Sequence, residues 1–261
     1  MMKILITGAS GFIGSNLVSS LYGVKEYELH LIHRGLEGIG SEIAGVFEYN
    51  VDLTHENWPA RLPDIEMDVV IHLAQSNHYR EFPAGAQDMF DVNVKSTFDL
   101  LEWSRKHNVK RFMFASTGSL NNRADDNPSM YKSTKLIAEK LVNQYFEFFS
   151  TMNMRLYTVY GVGQTDKLIP NLIRKIKSGE PIKLDENVTV HPVHVSDCVK
   201  SIINLMASKA RRYPLTTNIC SDEQFYSLHD FVELLRKVVE GDYVKGLYTE
   251  DKLREVVDSM Q

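Results

Sequence analysis

A short apolar run, Lys3-Ile4-Leu5-Ile6, stops at Thr7 and opens into Gly8-Ala9-Ser10-Gly11-Phe12-Ile13-Gly14. A run of that length bounded by glycine suits a strand buried on both faces. The apolar residues at 12, 13, 17, 18 and 21 that follow are spaced for a helix. Glycine is needed where a strand turns sharply into a helix, where backbone meets a diphosphate, and where helix packs on strand. The free N–H groups and positive dipole end of the helix then face the phosphates. The spacing is G-x-x-G-x-x-G, not G-x-G-x-x-G, so the glycines alone also fit a plain tight turn. Their place between a strand and a helix points to a dinucleotide site made by Gly8, Ser10, Gly11, Phe12, Ile13 and Gly14.

The rest of the first half repeats that alternation. Glu28 to Ile32, Val46 to Val51, Asp68 to Leu73, Arg111 to Ala115 and Met154 to Val159 read as strands. Met89 to Lys106 and Met130 to Phe149 read as long helices. Strands alternating with helices imply βαβ units and an α/β fold with a doubly wound parallel sheet. After Gly161 the pattern changes. Lys167 to Lys177, Ser196 to Met206 and Ser227 to Val239 read as helices, Thr189 to Val195 as extended, and Leu215 to Cys220 as a late strand. The expected organisation is a dinucleotide-binding domain over 1–160 and a small C-terminal substrate lobe over 161–261. The strand at about 215–220 would return to the main sheet.

Composition narrows the function classes. The chain has 261 residues, 43% hydrophobic and 24% charged, with net charge −5. That is ordinary globular usage and not the charge of a protein that grips nucleic acid by general electrostatics. No apolar run approaches the roughly 18–20 residues of a membrane span, and the start does not read as a signal peptide. Cys198 and Cys220 allow one bridge at most. The expectation is a cytoplasmic protein without nucleic-acid or membrane partners. The nine histidines show no metal-ligand spacing. His191 and His194 read as structural more than pocket-lining, and Arg211-Arg212 as a solvated pair.

Two further sets of residues carry chemistry. The second strand ends in His33-Arg34-Gly35, where a carboxylate would bind the ribose 2′-OH of NAD. Arginine can pair with a 2′-phosphate, so His33 and Arg34 favour NADP, with NAD possible. Asp52, beside Leu53, is placed to accept from the adenine amino group. Tyr131 and Lys135 are four apart and share one helix face. An ammonium near a phenol lowers its pKa from about 10. A tyrosine so tuned can move the proton of a carbinol while a nicotinamide moves hydride. A tyrosine and lysine at this spacing also arise by chance.

Gly8, Gly11 and Gly14, then His72-Leu73-Ala74, Asn93 with Thr97, Ala115-Ser116-Thr117, and Tyr131 with Lys135 follow in the order of a known family. The chain resembles the extended short-chain dehydrogenase/reductases, more narrowly the NAD-dependent epimerase/dehydratase family acting on nucleotide-linked sugars. Arg155 to Gly161, Pro192 to Asp197, and Asn218-Ile219-Cys220 extend the resemblance over nearly the whole chain. It implies a Rossmann-type fold and catalytic roles for Thr117, Tyr131 and Lys135. It also implies that Lys135 binds the nicotinamide ribose, and that Leu73, Ala74, Gln75, Asn93, Ala115 and Tyr157 contact the cofactor.

The departures shape the expected reaction. Thr117 and Tyr131 lie 14 apart, closer than is usual in the family, so 118–129 is a short loop. Gly118 and Ser119 stand where 4,6-dehydratases often carry an acidic pair, which disfavours dehydration. Thr158 replaces the asparagine of sugar-nucleotide epimerases, and Val190-His191 stand where many carry an arginine for the substrate diphosphate. The expected activity is reduction of a 4-keto group of a nucleotide sugar. The alternatives are an epimerase with resident NAD and, of another class, a non-catalytic NADP-binding sensor or scaffold. A homodimer through the two long helices is also expected.

Overall fold

The computed structural model describes residues 1–35, 44–121, 129–185, 188–209, 215–220 and 225–260. Arg211 and Arg212 lie outside them, as does most of the loop before Tyr131. The chain divides into two compact units, 1–155 with 202–218 and 156–201 with 219–261. The chain passes between them three times, after residues 155, 201 and 218.

The first unit begins with β1 (Met2–Thr7), α1 (Phe12–Leu21), β2 (Tyr27–His33), β3 (Val46–Asn50) and β4 (Val69–His72). Then come α2 (Ala86–Phe90), a π-helical turn (Asp91–Lys95), α3 (Ser96–Lys106), β5 (Arg111–Thr117), α4 (Met130–Gln144) and β6 (Ser150–Leu156). Next are β7 (Thr158–Tyr160), α5 (Leu168–Ser178), β8 (Thr189–Val190), β9 (Pro192–His194) and α6 (Val195–Ala207). The chain closes with β10 (Leu215–Ile219), β11 (Tyr226–Ser227), α7 (Leu228–Glu240) and α8 (Tyr248–Ser259).

Seven strands form one sheet in the order β10-β6-β5-β4-β1-β2-β3. The pairings β1·β2, β1·β4, β2·β3 and β4·β5 are all parallel, with Ile4 opposite both Leu29 and Val69. This is the expected doubly wound, Rossmann-type sheet. Chain order reverses between β1 and β4, so the ends of these two strands open the crevice in which such sheets bind ligands. Central strands covered on both faces must be continuously apolar, and Ile4, Leu5 and Ile6 have no exposed surface. One core face packs Trp58, Leu100, Leu101, Phe112, Phe114 and Val142. The second unit has its own core, in which Ile169, Ile173, Phe231, Leu235 and Leu253 meet.

Three elements differ from expectation. The helix over 89–106 begins earlier and contains a π turn at Asp91–Lys95. Ser96 Oγ and Thr97 Oγ1 donate back to the Val92 and Asn93 carbonyls there, at 2.6 and 2.8 Å. The helix from Met130 stops at Gln144, not Phe149. Tyr145 turns away to donate to Glu102 at 2.8 Å, and Phe149 stacks on Phe112. The strand over 154–159 breaks at Tyr157, giving β6 in the large sheet and β7 paired in parallel with β9.

Candidate active site

At the glycine turn, Gly8 has φ +67°, and a Cβ there would stand 2.8 Å from the Ala74 nitrogen, where the ends of β1 and β4 meet. A Cβ on Gly14 would fall 2.1 Å from the Gly8 carbonyl oxygen, so the first turn of α1 rests directly on the loop. Gly11 precedes α1, no side chain caps it, and the first turn carries no acidic residue. The unpaired N–H groups of that turn are thereby left for an anion. Glycines that other residues would fill and an uncapped helix start fit a dinucleotide diphosphate. Ser10 is exposed beside them, with Phe12 and Ile13 partly covered.

At the ends of β2 and β3, His33 is nearly buried, its Nε2 3.4 Å from Glu48 Oε2. Arg34 is more exposed and faces a carboxylate, with Nη1 3.8 Å from Asp52 Oδ2. Asp52 Oδ1 accepts from the Thr54 N–H and hydroxyl at 2.9 and 2.8 Å. Partial burial works to raise the Asp52 carboxyl, but the Thr54 donors and Arg34 outweigh it and the net direction is down. Arg34 therefore does not present an uncompensated cation, the premise of the NADP preference. Leu53 is buried beside Asp52.

Beyond β4 a buried polar chain runs through the unit. Thr7 Oγ1 is 2.6 Å from His72 Nδ1, His72 Nε2 is 3.0 Å from Thr97 Oγ1, and Thr97 bonds the Asn93 carbonyl. The Asn93 side chain accepts from the Ser76 N–H at 3.1 Å and donates to Thr134 Oγ1 at 3.1 Å. Asn93 is wholly enclosed. Its amide braces the loop after β4 against α4. Burial drives His72 down to about 3, aided by Lys135, so its imidazole is neutral. Leu73 and Ala74 line the start of this loop, and the Ala74 N–H donates to Thr7 Oγ1 at 3.2 Å.

The reactive residues meet at the ends of β5 and α4. Ser129 caps α4 by accepting from the Lys132 N–H. The Tyr131 hydroxyl donates to Gln75 Oε1 at 3.2 Å, with Thr117 beside it. Thr117 Oγ1 in turn bonds Ser119 Oγ at 3.2 Å and accepts the Ser119 N–H at 3.3 Å. Lys135 is buried, with Nζ donating to the Ala115 carbonyl at 2.8 Å and lying 4.8 Å from the Phe114 ring centre. Burial lowers its pKa to about 7, with Glu139 opposing. Burial pushes the Tyr131 phenol up to about 12; Thr117 works to lower it and Tyr79 to raise it. The expected depression by Lys135 is not what this geometry gives, because the ammonium is turned onto Ala115.

Sequence reasoning missed Tyr79, whose ring centre lies 5.7 Å from that of Tyr131. Nothing periodic marks it, since it sits in an irregular loop. It assigned Gln75 to the cofactor, whereas its carbonyl holds the Tyr131 hydroxyl. It also missed Glu139, although a signal existed: Tyr131, Lys135 and Glu139 recur at every fourth position of one helix face. Tyr157, in the second unit, packs on His191 with ring centres 4.8 Å apart. Among the described residues no three His, Cys, Asp or Glu gather as a metal site, and no helix is long and apolar enough to cross a membrane.

The family model for the NAD-dependent epimerase/dehydratase family matches residues 4–220. The chain belongs to this family. Among curated relatives, the uncharacterized UDP-glucose epimerase YtcB of Bacillus subtilis is 29% identical over 77% of this chain and 71% of its own. The CDP-abequose synthase of Yersinia pseudotuberculosis is 27% identical over 94% of this chain and 87% of its own. The solved structure of MoeE5 with UDP-glucuronic acid and NAD is 31% identical, with TM-score 0.73 over 90% of this chain and 82% of that one. UDP-glucuronic acid 4-epimerase from Bacillus cereus shares the fold at TM-score 0.82 over 99% of both chains, with 23% identity.

Proposed function

We propose that this member of the epimerase/dehydratase family binds NAD and epimerises a nucleotide-linked sugar at its C4 carbinol. One observation carries the reading: Thr117 at the end of β5, Tyr131 at the start of α4 and the buried Lys135 one helical turn on converge at the sheet's ligand edge, with Thr117 working to lower the Tyr131 phenol. Gly8, Ser10, Gly11, Phe12, Ile13 and Gly14 hold the diphosphate; Asp52 and Leu53 flank the adenine side. Bound there, the nicotinamide supplies reversible hydride transfer. Tyr131 accepts the sugar hydroxyl proton and returns it, while Thr117 fixes the oxygen. A phenol near 12 holds its proton at neutral pH, so it serves as base only when a cation approaches it; Lys135 titrates near neutrality and, once released from the Ala115 carbonyl, can be that cation.

The relatives named as UDP-sugar 4-epimerases, and the neighbours solved with NAD, favour epimerisation over the expected 4-keto reduction. Arg34 alone favours the second reading, an NADPH-dependent reductase, and Asp52 offsets it. Residues 156–201 and 219–261 serve as the substrate lobe. Exposed Phe98, Leu136, Ile137 and Phe148 support a homodimer through α3 and α4. The buried Cys198 thiol, outside any disulfide, and soluble nucleotide substrates support a cytoplasmic location.

The test is Tyr131→Phe. Retained NAD and interconversion of UDP-glucose, UDP-glucuronic acid or CDP-sugars with their 4-epimers are expected of the wild type. The variant should keep NAD and lose about 10²–10⁴-fold in rate. Wild-type turnover by the variant sinks the tyrosine mechanism; NADPH oxidation on a 4-keto sugar without epimerisation selects the reductase.

A further inference from the structure

One turn beyond Lys135, the same face of α4 carries Glu139, which the reaction above does not use. It is buried, and three donors close on it. Ser116 Oγ donates to Oε1 at 2.5 Å, Arg155 Nε to the same oxygen at 2.9 Å, and Arg155 Nη2 to Oε2 at 2.7 Å. Buried ion pairs contribute little net stability over apolar packing of the same shape. The neighbours suggest another role. Ser116 lies in β5 between Thr117 and Ala115, the residue whose carbonyl holds Lys135. Arg155 also donates to Asn121 Oδ1, and Asn121 donates to Asn218 Oδ1 at 2.7 Å. One carboxylate thus joins β5, α4, β6 and the turn after Thr117.

We propose that Glu139 is a positioning residue for the reaction: it seats Thr117 through Ser116 and favours the charged form of Lys135, and Arg155 limits how strongly it does so. The inference rests on the reading of Tyr131 and Lys135 as the reacting pair. The groups around Lys135 are as follows. Glu139, on its own helix, raises its pKa against burial. His72, from β4, is neutral. From β5 come the Ala115 carbonyl and the Phe114 ring face, both favouring a cation. Tyr131, one turn earlier, is a protonated phenol. A lysine whose midpoint lies near neutrality responds to a single nearby charge with a large change in its charged fraction.

Arg155 supplies the sign that separates this role from simple bracing. Glu139→Gln removes the carboxylate's field, and Lys135 should lose its proton at lower pH. Arg155→Gln removes the countercharge, the field at Lys135 grows, and the proton should be held to higher pH. A pair that only braces the fold would lower stability in both variants and move the lysine in neither.

The experiment uses the whole protein, labelled for lysine side-chain nuclear magnetic resonance. The Lys135 signal is identified by its absence in Lys135→Met, and thermal melts confirm folding. Expected is a Lys135 midpoint about one pH unit lower in Glu139→Gln and higher in Arg155→Gln. The kcat–pH limb that follows Lys135 should move in the same two directions. Midpoints unchanged, or shifted the same way in both variants, overturn the proposal. If Glu139→Gln does not fold, Arg155→Gln decides alone: no upward shift overturns it. The titration needs no substrate, so failure to find a nucleotide-sugar activity counts against the proposed reaction and leaves this result standing by itself.

Discussion

Any anion that docks on the Arg34 guanidinium also meets Asp52, because Nη1 stands 3.8 Å from Asp52 Oδ2. The arginine side chain is 58% exposed and the aspartate 28%, so their pairing contributes less than about 1 kcal/mol and is easily broken. A charge-assisted bond from Arg34 to a ribose 2′-phosphate would contribute about 1.5–3 kcal/mol. Asp52 opposes it. Like charges about 4 Å apart repel by roughly 1 kcal/mol in bulk water and roughly 4 kcal/mol at an effective dielectric of about 20. The two contributions nearly cancel, while an uncharged 2′-hydroxyl meets neither. NAD should therefore bind at least as tightly as NADP. Asp52→Asn removes the repulsion and keeps an oxygen for Thr54. The ratio of NADPH to NADH affinity should rise about ten-fold, the equivalent of roughly 1.4 kcal/mol. Adding Arg34→Ala should cancel that gain. Any contact of Asp52 with adenine is common to both cofactors and drops out of the ratio. Fluorescence titration of both reduced cofactors against the wild type, the single variants and the double variant completes the cycle. A ratio unchanged by Asp52→Asn refutes the electrostatic argument.

The buried imidazole of His72 makes stability depend on pH. Its folded pKa, about 3, lies below the unfolded value of 6.5, so the unfolded chain binds the proton first as pH falls. Its contribution is complete above about pH 6.5, declines toward pH 3, and amounts to about 2 kcal/mol lost by pH 5. Urea midpoints at pH 7 and pH 5 should fall less in His72→Gln than in the wild type; equal losses would place the proton uptake elsewhere. For the dimer, sedimentation at tens of micromolar protein should show a species twice the 29.9 kDa chain mass, reduced by Ile137→Glu. A lone 29.9 kDa species dismisses it.

The parts of the fold legible in the sequence are those whose cause is local. Ile4 to Ile6 must be apolar because both faces are covered, and Gly8 and Gly14 must lack a side chain because backbone fills that space. Where a distant contact decides, the periodic pattern misleads. Tyr145 to Phe149 continues a helical spacing, yet Phe149 leaves the helix to reach Phe112. Phe149 belongs to the core, and Phe148 is exposed under Arg105. The same holds in the site. Tyr131 and Lys135 could be found by spacing, but Gln75 and Tyr79 reach Tyr131 only because the loop after β4 folds back over α4.

That loop is held by the polar chain through His72, and one assignment of protons satisfies every partner in it. Thr7 Oγ1 accepts the Ala74 N–H, so its own proton goes to His72 Nδ1. Nε2 then carries the ring hydrogen and donates to Thr97, whose hydroxyl donates to the Asn93 carbonyl. The Asn93 amide donates to Thr134, and Thr134 donates to the Tyr131 carbonyl at 2.9 Å. A protonated imidazole would put a second donor against the Thr7 hydroxyl, which would have to give up its proton's direction and turn. The glycine turn that receives the diphosphate and the helix that carries Tyr131 are therefore fixed to one another by a relay with a single polarity. The π turn in the helix after β4 is part of the same device, because it holds Asn93, whose carbonyl and side chain bond partners on three different elements.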